Sequence, residues 1–279
     1  MEDLLADFIN DCMALGYSHR TIESYSGHIR YFIRYNGIHP DIDINELRSF
    51  LIHLRDEQRY SSLTINAYFA ALSVLFTFLV DSRYLHNNDI PMFRKRYLRN
   101  YKKYHVSEQK QLIVVEQLKE LIESIDILEH QTLMIFLAKT GIRRNELITL
   151  DRNDISLSNN SVLLKPTPKR SNRLIYFDDE CKIFLEHYLL TRSDNNKALF
   201  LSSTGRRITR NQVYDIVTGY ARKLGLHDDC GHTGDKFTPH CFRVWFTTHL
   251  RRAGMSRSFI QELRGDSRSE AMDVYDRLS

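Results

Sequence analysis

Thr238-Pro239-His240-Cys241-Phe242-Arg243 reads as the start of a helix. Threonine is a favoured N-cap and proline suits the first helical position, so His240 and Arg243 fall in the opening turns, three apart and on one face. A helix start gathers unpaired N–H groups and the positive end of the peptide dipoles, which together attract an anion such as phosphate. The spacing alone is not specific, because His249 and Arg252 repeat it nine residues later.

Upstream, Thr140-Gly141-Ile142-Arg143-Arg144-Asn145-Glu146-Leu147 lets a glycine stop one helix and the next begin with a guanidinium near its first turn. Arginine offers phosphate a planar fork and keeps its charge. The same residues also read as an ordinary surface pair, Arg143 with Glu146 at helical spacing. Between these stretches, Ser161 to Leu164 and Leu174 to Phe177 read as two short strands. Their turn carries Lys165, Lys169, Arg170 and Arg173 with no compensating acid, which fits a phosphate contact or a solvated loop. Helical patterns at 114–124, 130–139 and 143–149 precede the hairpin, and others near 178–191, 209–224, 239–253 and 257–263 follow it.

The N-terminal third is helical throughout. Ser18 caps a helix carrying Ile22, Tyr25, Ile29, Phe32 and Ile33, which stops at Asn36-Gly37. Asp43 and Glu46 form a capping-box pattern ahead of Leu47, Phe50, Leu51 and Leu54. Ser61 and Ser62 precede a third helix with Ile65, Tyr68, Leu72, Leu75, Phe76 and Leu79. The predicted organisation is a helical bundle over 1–93, an extended basic linker over 94–110 and a second domain over 111–279.

A chain of 279 residues with 42% hydrophobic and 27% charged residues can bury two cores. The acidic N-terminus lacks the basic then apolar pattern of a secretory signal, and no apolar run of spanning length is read, so a cytoplasmic chain without membrane contact is expected. Cys12, Cys181, Cys230 and Cys241 are too scattered for a disulfide framework. The net charge of +4 is modest, but residues 94–110 hold seven basic residues against Glu108 alone. Arg94, Lys95, Arg96, Lys102 and Lys103 alternate there with Tyr97, Tyr101 and Tyr104, a mixture suited to a nucleic-acid backbone. Arg206, Arg207 and Arg210 are a second basic group. A zinc site is the rival chemistry, since His227, Cys230, His232, His240 and Cys241 fall within 15 residues.

Taken in order, the box at 140–147, the lysine-bearing hairpin near 165, the box at 238–243 and Gly265 followed by Tyr275 resemble the tyrosine recombinases of the Xer and phage-integrase type. The wording from Cys241 to Met255 looks most like archaeal and mobile-element integrases. The resemblance covers nearly the whole chain. It implies a mainly α fold with a small antiparallel β-sheet, in which a helical, SAM-like core-binding domain and a catalytic domain close on double-stranded DNA as a clamp. It also implies Tyr275 as the nucleophile forming a 3′-phosphotyrosyl link, with Arg143 and Arg243 clamping the phosphate. Lys165 would protonate the leaving 5′-oxygen, with Lys169 as the fallback, and His240 would help move the proton. No metal and no cofactor is implied. Asp266 stands where relatives carry His or Trp and would orient Arg243 or His240. Four copies on two recombining sites would work through a Holliday junction, and without DNA the chain would be a monomer or weak oligomer. The alternative is a catalytically idle, sequence-specific DNA-binding protein on the same fold.

Overall fold

The computed structural model describes residues 2–39, 41–98, 111–166 and 172–265. The chain falls into two compact units, Met1–Ser107 and Glu108–Ser279.

In the first unit, α1 (Glu2–Ala14), α2 (His19–Asn36), α3 (Ile44–Ile52) and α4 (Ser62–Asp81) build the bundle. The expected caps are in place: Ser18 accepts from the Thr21 N–H, Ser61 from the Thr64 N–H, and Asp43 and Glu46 close a reciprocal capping box. Phe8, Ile29, Phe32, Phe50, Phe69 and Leu72 are fully buried and make one core. The helix α1 falls within the stretch expected to be helical, with no bounds read for it, and its Leu4, Leu5, Phe8, Ile9 and Cys12 recur at helical spacing. By length and composition α4 could cross a membrane, contrary to the sequence reading. Nine of its residues are buried in the bundle core, which accounts for its apolar character.

The basic stretch also differs from expectation at its start. After α5 (Ile90–Phe93), residues Arg94–Leu98 form a wide helical turn instead of an extended linker, and Phe93 and Leu98 are buried in the bundle core. Phe93 stacks on Phe69 with ring centroids 5.0 Å apart. This packing leaves Lys95 and Arg96 exposed and Arg94 half-buried.

In the second unit, α6 (Val115–Glu123) leads to α7 (Leu128–Thr140), whose residues Thr132 to Ala138 are all buried. A helix apolar all round must be covered on every side. It packs against α9 (Asp179–Thr191) and α11 (Pro239–Arg252). The short α8 (Arg144–Leu147) follows directly after Gly141, which is left-handed at φ 58°. The sheet has three antiparallel strands, β1 (Ile155–Ser156), β2 (Ser161–Leu164) and β3 (Arg173–Tyr176), in the order β1-β2-β3. The expected hairpin is present with an extra edge strand, and β3 starts one residue early, pairing Arg173 with Leu164. The helices α10 (Arg210–Lys223) and α12 (Arg257–Arg264) complete the unit.

Candidate active site

Thr238 is the N-cap and Pro239 the first residue of α11, as the sequence implies. The cap itself differs from a threonine hydroxyl bond: the Thr238 N–H donates to Cys241 Sγ at 3.3 Å, and that thiol donates to the Lys236 carbonyl. From this start α11 carries Arg243 inward to 1% exposure, while His240 stays exposed at the surface. The pair therefore spans the wall of a cleft of about 580 Å³, which both residues line with Arg143, Arg144, Tyr214 and Lys236.

The two expected phosphate-clamping arginines meet at one oxygen. Arg143 Nη1 and Arg243 Nη2 each donate to the Arg264 carbonyl at 2.8 Å. Arg243 Nη1 donates to the Gly141 carbonyl, also at 2.8 Å. The carbonyl of Arg264 lies at the C-terminal end of α12, where peptide dipoles concentrate negative partial charge, so it suits two cations. Gly265 caps that helix in the left-handed conformation at φ 60°.

Glu146 was read as half of a possible surface pair with Arg143. It is instead buried at 6% exposure, and it accepts from the Arg143 backbone N–H at 2.8 Å and from Arg143 Nη1 at 3.4 Å. Its two oxygens also accept from Arg173 Nη2, both at 2.9 Å. Burying a carboxylate is tolerable because it is paired on both sides. Arg173 Nε donates in turn to the Leu263 carbonyl at 3.1 Å. Glu146 was not expected at the site, and Arg173 was expected only as one of four hairpin bases that fit a phosphate contact. The only signal was their company, three residues after Arg143 and at the end of the basic hairpin.

Among the described residues, the hairpin bases Lys165 and Arg173 have acidic partners. Lys165 Nζ donates to Asp151 at 2.6 Å and to the Thr149 carbonyl at 3.0 Å, and it pairs with Asp154 at 3.2 Å. Burial alone would lower its pKa, but the hydrogen bonds to Asp151 and Asp154 outweigh that and raise it. Lys165 is not among the residues lining the cleft with His240. Arg207, expected on DNA, is committed to Asp151 and to the Ile148 and Leu150 carbonyls. Arg206 is exposed and Arg210 half-buried at the start of α10. The repeat of the His-x-x-Arg spacing is resolved by context: His249 lies against Trp245 in the last turns of α11, with ring centroids 4.1 Å apart and planes tilted by 33°.

Tyr275, Asp266, Lys169, Arg170, Lys102 and Lys103 lie outside the described residues. Among the described residues, no three His, Cys, Asp or Glu gather as a metal site. His227, from the rival zinc set, uses Nδ1 on the Phe237 carbonyl and Nε2 on Asp229.

A sequence model described as the phage integrase family matches residues 111–279, and one for the N-terminal SAM-like domain of phage integrases matches residues 4–86. The chain is 30% identical over 252 residues to the tyrosine recombinase XerC of Roseiflexus castenholzii, covering 86% of the chain and 75% of that protein. It is 24% identical over 283 residues to XerA of Pyrococcus horikoshii, covering 99% of the chain and 90% of that protein. In fold it resembles the Tn1549 transposon integrase solved with circular intermediate DNA, at a TM-score of 0.79 and 18% identity over 99% of both chains.

Proposed function

That the chain belongs to the phage integrase family, and is a site-specific recombinase of the tyrosine type, is the premise from which we propose how its own residues act on duplex DNA. Tyr275 supplies the nucleophile. Its oxygen bonds to the scissile phosphorus, the bond to the 5′-oxygen breaks, and a 3′-phosphotyrosyl link remains. A 5′-hydroxyl from the second strand reverses the step and releases Tyr275. Arg143 and Arg243 stabilise the charge that builds on the non-bridging oxygens. His240, on the same cleft, exchanges the proton of the attacking or departing oxygen.

The observation that carries this reading is the meeting of Arg143 and Arg243 at the end of α12, with His240 on the cleft they line. A buried guanidinium acts where little water screens it, so its charge is worth more to a developing anion than at the surface. The leaving 5′-oxygen takes its proton from Lys165, which first has to leave Asp151 and Asp154. That grip favours a second reading in which Lys169 is the donor. Asp266 is assigned to orienting Arg243 or His240.

The helical domain over 1–93 and the residues 94–110 are assigned to holding DNA, with Arg94, Lys95, Arg96, Lys102 and Lys103 on phosphates. Lys169, Arg170, Arg206 and Arg210 add contacts from the domain over 111–279. Arg207 belongs to the same set and would exchange Asp151 and the Ile148 and Leu150 carbonyls for phosphate. Four copies on two recombining sites, passing through a Holliday junction in the cytoplasm, complete the proposal. The idle binder is not favoured for a chain of this family.

Nicked suicide duplexes test the reading. Wild type yields a protein–DNA band on a denaturing gel, and Tyr275→Phe binds the same duplex without forming it. An adduct in Tyr275→Phe overturns the nucleophile assignment.

A further inference from the structure

We propose that Arg173 is a positioning residue for strand cleavage, fixing the end of α12 against the arginine clamp so that the chain leading to Tyr275 departs from one place. Arg173 opens β3 opposite Leu164, the residue before Lys165. Two adjacent nitrogens of its guanidinium make the contacts. One, Nη2, donates to the buried Glu146 carboxylate, whose other partner is Arg143. The other, Nε, donates to the Leu263 carbonyl in the last turn of α12.

Gly265 completes the contact. A Cβ placed there would stand 2.7 Å from Arg173 Nη1 and 2.9 Å from Cζ, and the backbone is left-handed at φ 60°. The helix end therefore lies against the guanidinium, and a glycine accommodates both this approach and the left-handed φ without strain. The neighbouring carbonyl, that of Arg264, is held by Arg143 and Arg243. Three arginines thus grip two consecutive carbonyls, and Arg173 joins hairpin, α8 and α12 while not lining the cleft with His240. A planar fork does this and an ammonium cannot, because Nε and Nη2 are held side by side in one rigid group, the first on the Leu263 carbonyl and the second on Glu146. Nothing in the sequence pairs residue 173 with residues 146 and 263.

The inference rests on Tyr275 being the nucleophile, and the test separates the two. Single-turnover cleavage of nicked suicide duplexes is measured for wild type and Arg173→Ala, with DNA affinity by mobility shift. In a Tyr275→Phe background hydrogen peroxide replaces the tyrosine: its oxygen bonds to phosphorus, the bond to the 5′-oxygen breaks, and the proton passes to that oxygen. Arg173→Ala is expected to bind DNA normally and to cleave about 100-fold more slowly, the usual cost of a small misplacement. Peroxide cleavage uses the clamp and not the tail, so Arg173→Ala, which reaches the clamp only through Glu146, should lower it about tenfold less than it lowers the tyrosine reaction.

An equal fall in both reactions places Arg173 on the phosphate and overturns the proposal. So does a tyrosine-dependent rate within about threefold of wild type, whichever residue proves to be the nucleophile. Where Arg173→Ala folds poorly, or peroxide supports no cleavage, Arg173→Lys and a double-variant cycle with Glu146→Gln decide. Lysine should not restore the rate, and the two losses should overlap instead of adding, since the residues share one network. Full additivity, or rescue by lysine, overturns the proposal.

Discussion

The Lys165 ammonium lies 2.6 Å from one carboxylate oxygen of Asp151, and Arg207 takes the other. Hydrogen bonds from Lys165 and Arg207 hold the Asp151 carboxyl below the usual carboxylate range. A lysine so placed keeps its proton, and it can act on a leaving oxygen only by exchanging Asp151 and Asp154 for DNA.

Lys165→Ala is expected to slow cleavage of an ordinary duplex by about 10²–10⁴-fold, the usual worth of general-acid help. A duplex whose leaving 5′-oxygen is replaced by sulfur needs no such proton and should restore the rate. Lys169→Ala is expected to show a smaller loss and no sulfur rescue. If Lys169→Ala alone is rescued by sulfur, the donor is Lys169.

Arg143 and Arg243 should part company when stability and activity are measured together. Truncating Arg243 leaves the Gly141 carbonyl buried without its donor, a loss of about 1–3 kcal/mol. Arg143 is half-buried, and the Arg264 carbonyl keeps Arg243 when Arg143 is removed. Both alanine variants should lose adduct formation. Urea unfolding followed by Trp245, the one tryptophan in the chain, should shift substantially for Arg243→Ala and less for Arg143→Ala.

Gly141→Ala tests the turn between α7 and α8. The left-handed conformation at φ 58° costs an alanine about 1–2 kcal/mol, and the new methyl runs into the Phe246 ring. The variant should unfold at lower urea, and Phe246→Ala in the same chain should recover the part due to overlap. Full stability in Gly141→Ala would contradict this packing.

Acid should destabilise the protein before its carboxylates titrate. Burial pushes His28, His130 and His249 below their ordinary value of 6.5, with Arg252 adding to the effect at His249. Their neutral forms are favoured by folding, so below about pH 6.5 the unfolded chain binds more protons and stability falls. Above that pH these groups contribute a constant amount. Urea midpoints should drop between about pH 6.5 and 5, and His249→Gln should flatten part of the slope.

What the sequence disclosed was local chemistry. Ser18, Asp43, Ser61 and Thr238 mark helix starts because a short polar side chain, or a threonine ahead of proline, is needed there, and each stands where it was expected. The order of Arg143, His240 and Arg243 led to a shared cleft. Two-residue β1 carries too little pattern to be read. The grip on α12 was hidden for another reason: its acceptors are the carbonyls of Leu263 and Arg264, and every residue has a carbonyl. Glu146 and Arg173 meet across 27 positions, a distance that periodicity does not span. Arg207, a basic residue expected on DNA, has a partner in Asp151 that the sequence pattern did not show.

One carbonyl oxygen, that of Arg264, joins residues 143 and 243. During synthesis the chain emerges from its N-terminus, and both guanidiniums are present well before the oxygen that gathers them. A nascent chain ending at Arg252 holds the whole of α11 and none of α12. On the proposed role of these two arginines, competence to grip a phosphate between them comes late on the ribosome, after residue 264, because a chain broken off earlier lacks the carbonyl on which both converge.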